Sequence, residues 1–411
     1  MNRGKALIKR EFKISTTSLI LIIYTLSLWM PTYLNNSLIK LMLNVILLVT
    51  MVFLFKKKYR PSRLVVLAVL YFGYLCLISF VNHNNTVDIH TILSYAKTIT
   101  FLALLEFCIN RREKQTFKIL LTIISILLLA NFITVVLYPS GLYTVETVWN
   151  EWSTSERAQW LLGNKNSHGM WAVLGILISF CYINANGRFY SKITNLKTKI
   201  MVYCEIIILV AGLFLVKSST GLIATVLSSI AFFMYLQKAD KIEINTKLCI
   251  IVYGIVTCMI LFGAVSFLQP ILYTLFGKDV TFTGRVTIWQ NALLNISRKP
   301  ILGWGILDTG LVTDMLGSRS STSAHNQYLN SLLQGGVVLF FVLLSILWNV
   351  SKNIDRLEER NIKNFLFLSL LSAMIIMIFE SCLGEYTSWI VLLIINTVAQ
   401  KCLREERRGE C

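Results

Sequence analysis

Of the 411 residues, 55% are hydrophobic and the mean hydropathy is +0.65, which excludes an ordinary soluble domain and places the chain among multi-span membrane proteins. The net charge of +18 would suit a nucleic-acid binder, but the cations sit in short connectors between apolar runs, a pattern that membrane topology explains without nucleic acid.

In chain order, Arg3, Lys5, Lys9, Arg10 and Lys13 precede the first apolar run. Trp29-Met30-Pro31 offers no small-residue cleavage site, so the run reads as an uncleaved span rather than a signal peptide. Membrane-length runs lie near 17–34, 38–55, 64–81, 91–109, 117–138, 168–184, 199–216, 220–236, 248–268, 327–349, 363–380 and 385–400, about twelve spans. Alternate connectors hold most of the 39 Lys and Arg: Lys56 to Arg63, Arg111 to Lys118, Arg188 to Lys199, Lys238 to Lys247, Lys352 to Lys363, and the tail Lys401 to Arg408. This bias predicts cytoplasmic termini. The expected architecture is an all-α, polytopic membrane protein forming a single integral membrane domain over 1–411, with 269–325 as a large extracytoplasmic loop between spans nine and ten. The middles of the spans are nearly free of charge, Lys97 being the main exception. The nine cysteines fall mostly in spans or on the tail without a CxxC, so neither a disulfide framework nor a zinc site is implied.

Two loops on the predicted outer side are longer than a turn. In the first, Thr147 to Leu162 carries Trp149, Trp152, Trp160 and Arg157 and is expected to form a short interfacial helix or a simple aromatic anchor. In the second, Val286, Trp289, Leu293 and Ile296 recur at helical spacing after Arg285. Arg298-Lys299-Pro300 ends that helix, and Pro300-Ile301-Leu302-Gly303-Trp304-Gly305 reads as a turn. Thr313 to Ser323 is expected to be a mobile connector leading to Ala324-His325-Asn326.

Spans six, eight and ten start at the predicted outer surface with Gly163-Asn164-Lys165-Asn166-Ser167-His168-Gly169, Lys217-Ser218-Ser219-Thr220-Gly221 and Ser323-Ala324-His325-Asn326-Gln327. Free N–H groups at helix starts attract anions, and Lys165, Lys217, Arg157 and Arg285 would add full charges for a phosphate or diphosphate. The plainer reading is helix capping, for which Ser, Thr and Asn are ordinary residues. His83 and His90 read as structural. His325 stands where the large loop re-enters the membrane, and a neutral imidazole there is a candidate general base. The outer carboxylates are dispersed and no DxD pair occurs, so no metal site is expected and the diphosphate charge would fall to Arg and Lys.

The order Gly284-Arg285, Trp289, Pro300-x-x-Gly303-x-Gly305 and His325-Asn326, together with the starts of spans six and eight, resembles the O-antigen ligase and Wzy-type polysaccharide polymerase superfamily. The resemblance covers most of the chain in architecture and about residues 160 to 340 in motif. It implies a GT-C-type, metal-independent glycosyltransferase without a cofactor. Its donor and acceptor would be undecaprenyl-diphosphate-linked glycans at the outer face of the cytoplasmic membrane, with a flippase or chain-length regulator as further partners. It implies Arg285 and His325 as catalytic residues, with Trp289, Gly303, Gly305 and Asn326 as supporting loop. Relatives often carry Ser-Arg where this chain has Ser218-Ser219, and Lys217 would supply that charge. A polymerase of capsular, exopolysaccharide or O-antigen repeat units is the expected activity. A ligase to another acceptor and, from another class, a lipid-linked oligosaccharide flippase are the rivals.

Overall fold

The computed structural model describes residues 15–31, 34, 36–82, 87–150, 153–187, 196–237, 241–261, 285–317 and 323–408. The expected loop positions 269–284, with Gly284, and positions 318–322, with Arg319, lie outside the described residues, as do His83 and Trp152.

The described chain is nearly all helical, as the apolar runs predict. Four helices, α1 (Thr16–Leu28), α2 (Ser37–Lys56), α3 (Arg63–Val81) and α4 (Ile89–Leu137), precede a β-hairpin of β1 (Tyr143–Asn150) and β2 (Ser153–Gln159). Then follow α5 (Ser167–Gly187), α6 (Leu196–Leu215), α7 (Ser219–Leu236), α8 (Thr246–Leu261), α9 (Arg285–Arg298), α10 (Thr309–Leu316), α11 (Gln327–Asp355), α12 (Arg360–Phe379) and α13 (Tyr386–Glu406). Among the described residues eight helices are long and apolar enough to cross a membrane, and α1, α8 and residues 200–215 of α6 are shorter apolar helices.

At 49 residues α4 is too long for one crossing, since a bilayer core takes about 20 residues. It breaks at Arg112, where φ is −147° and ψ 55°. Near the break, Glu113 pairs with Lys401 at 2.5 Å and Asn110 accepts from Arg404 at 2.6 Å, late in α13. Farther on, Asn131 accepts from Leu162 N at 3.0 Å and Tyr138 O accepts from Trp160 Nε1 at 2.8 Å, next to the start of α5. The chain therefore turns back at Arg112, and α4 supplies the two spans expected at 91–109 and 117–138.

Enclosure decides which helices form the scaffold. Within α5, 94% of the apolar window is buried, against 28% in α2, whose Leu38, Leu41 and Phe55 face outward. Phe180 of α5 stacks on Phe365 of α12 at 3.7 Å, and α12 runs along α7. At the starts of α5 and α7, a Cβ on Gly169 would lie 2.7 Å from Gly221 Cα, so only glycine lets these backbones come so close.

Three sequence expectations need correction. Tyr143–Asn150 and Ser153–Gln159 form an antiparallel hairpin, with Val145 opposite Arg157, instead of a helix over 147–162. Thr144, Val145, Thr147, Val148 and Thr154 make the segment rich in β-branched residues, which suit a pleated strand better than a helix. Part of the expected mobile connector is helical: Asp308 caps α10 by accepting from Leu311 N at 2.8 Å, and Gly317 ends it with φ 63°. The span interiors also hold a further ionisable group, since Glu205 of α6 is buried and accepts from Ser179 Oγ at 2.6 Å.

Candidate active site

Four helix ends and one loop converge around Glu380. The carboxylate follows α12 directly and takes two basic side chains from distant sequence as neighbours: Arg285 Nη2 lies 2.5 Å from Oε1, and His325 Nδ1 lies 3.3 Å from Oε2. All three side chains are about 15–16% exposed, so the cluster is sheltered but reachable. Burial opposes ionisation of Glu380. The hydrogen bonds from His325 and Arg285 and the Arg285 charge outweigh it and hold the carboxyl below the usual carboxylate range.

The residues after His325 fix this geometry from both sides of the carboxylate. Asn326 caps α11 by accepting from Leu329 N at 2.9 Å, while its Nδ2 donates to Ile378 O at 2.7 Å. Gln327 accepts from Leu383 N at 2.8 Å and donates to Tyr71 OH and Ser331 Oγ, each at 3.1 Å. Positions 378 and 383 are thus tied to the residues next to His325, with Glu380 between them. His325 itself adopts φ 45°, a left-handed conformation uncommon outside glycine that sets its side chain apart from the helix below.

Arg285 and Trp289 are one turn apart on α9 and therefore share a face. Trp289 is fully buried and donates from Nε1 to Ala324 O at 3.1 Å, immediately before His325. The expected glycine turn does its work farther along. α11 breaks at Gly336, with φ 58° and ψ −160°, and the turn 300–305 fills the break. Trp304 N donates to Leu333 O at 2.9 Å, Gly305 N to Gln334 O at 2.7 Å, and Val337 N to Pro300 O at 2.9 Å. A Cβ on Gly303 would sit 2.5 Å from Gly335 N and Gly336 N, and one on Gly336 2.1 Å from Ile301 O. Asn82, just after α3, braces the turn by donating to Gly303 O at 3.1 Å and accepting from Lys299 Nζ at 2.8 Å. The loop is therefore pinned through its backbone to the helix that carries His325.

The structure brings Arg285, His325, Trp289 and Asn326 together. Gly303 and Gly305 support them at one remove. Lys165 and Lys217 lie at the adjoining starts of α5 and α7, both exposed and in no ion pair among the described residues. Lys217 holds the tight turn before α7 with φ 55°. Ser167 Oγ, two residues after Lys165, donates to Glu385 Oε1 at 3.3 Å, which ties the start of α5 to the start of α13 beyond Glu380. Arg157 lies on β2, placed only by its backbone register. His168 is buried; its Nδ1 faces the Asn164 carbonyl at 2.8 Å and its ring meets Trp160 edge-on. His90 is exposed on the first turn of α4.

Glu380 is the residue that sequence reasoning passed over, as one of several scattered carboxylates. Its available signal was an acidic residue set directly after an apolar run, with Cys382 and Leu383 leading into the next. Among the described residues no group of three His, Cys, Asp or Glu side chains could hold a metal ion.

With the geometry in hand, residues 205–344 match the family described as O-Antigen ligase. This range contains Arg285, Trp289 and His325 and stops short of Glu380. The chain is also similar to the ComP-specific O-oligosaccharyltransferase of Acinetobacter baylyi, 23% identical over 226 residues. That match covers 52% of this chain and 38% of the relative, so the chain spans well under half of the relative's length. Both support the superfamily resemblance read from the sequence motifs.

Proposed function

We propose that the chain is a member of the O-antigen ligase and Wzy-type superfamily, a reading the matches support, and that it is a glycosyltransferase that polymerises polysaccharide repeat units carried on undecaprenyl diphosphate. The observation that carries this reading is the single carboxylate of Glu380 holding both Arg285, at the start of α9, and His325, just before α11. With Glu380 ionised, Nδ1–H of His325 donates to it, which leaves the Nε2 lone pair as the proton acceptor. A sugar hydroxyl of the acceptor attacks the anomeric carbon of the donor and its proton passes to Nε2. The bond from that carbon to the diphosphate oxygen breaks, and the electron pair leaves with the diphosphate. One such displacement inverts the anomeric centre. Glu380 stabilises the imidazolium that forms.

Arg285 commits part of its five-donor guanidinium to Glu380 and keeps the rest for the departing diphosphate. Lys165, Lys217 and Arg157 add charge from the neighbouring helix starts and hairpin. Such cations can stabilise the leaving group without a divalent ion. The charge bias of the connectors supports cytoplasmic termini and a site at the outer face of the cytoplasmic membrane. A second reading has a specific basis in the relative's name, which describes O-linked transfer of an oligosaccharide: the same chemistry would then serve a hydroxyl on a different acceptor.

The test is incubation of the purified protein with lipid-linked repeat units, followed by glycan sizing with and without EDTA. A ladder spaced by one repeat, undiminished by EDTA, supports the polymerase. A single transfer seen only when a protein or lipid acceptor is supplied supports the second reading, and no transfer under any condition rejects both.

A further inference from the structure

At the end of the bundle opposite Glu380, a cleft of about 490 Å³ opens beside the break in α4. Lys401 marks the separation: it lies 15 residues along α13 from Tyr386, roughly 22 Å at the rise of an α-helix. The cleft is lined by Arg112, Glu113, Lys114, Lys118 and Lys401, with Ala185 from the end of α5. Four of these are cations and one is an acid. Glu113 is buried and already engaged with Lys401 at 2.5 Å. Arg112 donates to the neutral Gln115 at 3.5 Å, and among the described residues none of Arg112, Lys114 and Lys118 is in an ion pair.

Membrane orientation alone does not explain this arrangement. A positive-inside bias needs cations near one end of the bundle, and it is satisfied as well by side chains spread into water. Here the chain turns back at Arg112 and brings Lys401, from the last helix, against the 112–118 turn. Like charges gathered in one cleft repel one another unless an anion joins them, and Glu113 offsets only one. The walls beyond the charged heads are alkyl stems, the Gln115 side chain and the Ala185 methyl, suited to the glycerol side of a headgroup. The cleft also lies at the end of membrane-length helices, the depth at which lipid phosphates reside.

We propose that this cleft binds the phosphate group of an anionic phospholipid, held by Arg112, Lys114 and Lys118 beside the Glu113–Lys401 pair. The site is separate from glycan transfer and stands whether or not that reading holds. Native mass spectrometry on the full-length protein tests it, with phosphatidylglycerol and phosphatidylcholine of matched acyl chains and with inorganic phosphate as a competitor. The parental protein should retain phosphatidylglycerol selectively. The K114Q/K118Q variant should bind it roughly thirtyfold more weakly, while K56Q/K57Q, which removes two connector cations outside the cleft, should not change it. Equal losses in both variants, or no selectivity in the parent, would overturn the site. Displacement of the lipid by inorganic phosphate at equal concentration would make free phosphate the occupant and overturn the lipid assignment.

Discussion

Glu380 carries the site at the scale of single residues, because it holds Arg285 and His325 with its two oxygens. Its carboxyl is held below the usual range, so the stability it contributes is fully present above the ordinary carboxylate pKa and is lost as pH falls through the depressed folded value. Glu380→Gln keeps the shape and removes the charge, and should cost about 2–3 kcal/mol at neutral pH. The melting-temperature gap between parent and variant should narrow as pH falls below the ordinary carboxylate range; a gap that does not narrow there contradicts the ion-pair account. Arg285→Lys should also remain impaired by about a hundredfold in turnover, because an ammonium cannot serve Glu380 and a diphosphate with one planar fork. Full activity in that variant would show that charge alone suffices. Arg285 and His325 could be singled out in the sequence by type and by position at a loop boundary, and the structure sets both on one carboxylate. Glu380 could not be, since its partners lie 95 and 55 residues upstream and nothing in its own neighbourhood announces them.

Among the elements, the informative pair is the broken helix α11 and the turn that fills it. The helix Arg285–Arg298 and its stop at Pro300 follow from apolar spacing and a missing N–H, so both were readable. The break at Gly336 was not, because a Gly-Gly pair inside an apolar run is common in membrane helices. Only the tertiary fit to Gly303 gives the pair its purpose. The 143–159 hairpin escaped for a related reason: three tryptophans suggested an interfacial helix and drew attention from the β-branched residues around them. Gly336→Ala should cost about 3 kcal/mol or more, since alanine resists φ 58° and its Cβ would strike the Ile301 carbonyl. Thermal unfolding in detergent measures this, and a variant that melts with the parent would mean that the turn and helix can separate without cost.

Across the whole molecule, hydrophobic run length identified the spans well, because each backbone must satisfy its own hydrogen bonds in lipid. Even the doubled span was readable: the basic cluster at Arg111 to Lys118 predicted the point where the structure turns back. Glu205 was hidden inside an apolar run because its partner, Ser179, belongs to another helix. Orientation is open to direct measurement. In a Cys-less background, Gly384→Cys should react with an impermeant thiol reagent in intact cells, since the position is exposed at the site end, whereas Arg60→Cys on the connector near Glu106 should react only after lysis. The reverse pattern would put the Glu380 cluster in the cytoplasm and remove the outer-face donor.

In the proposed reaction His325, set by Glu380, takes the acceptor's proton during glycan transfer. The most direct test is the single-turnover transfer rate of His325→Ala at saturating lipid-linked donor, measured beside donor binding. The rate should fall by roughly a hundredfold to ten-thousandfold with donor affinity largely kept. A folded His325→Ala protein that transfers glycan at the parental rate would contradict this role of His325.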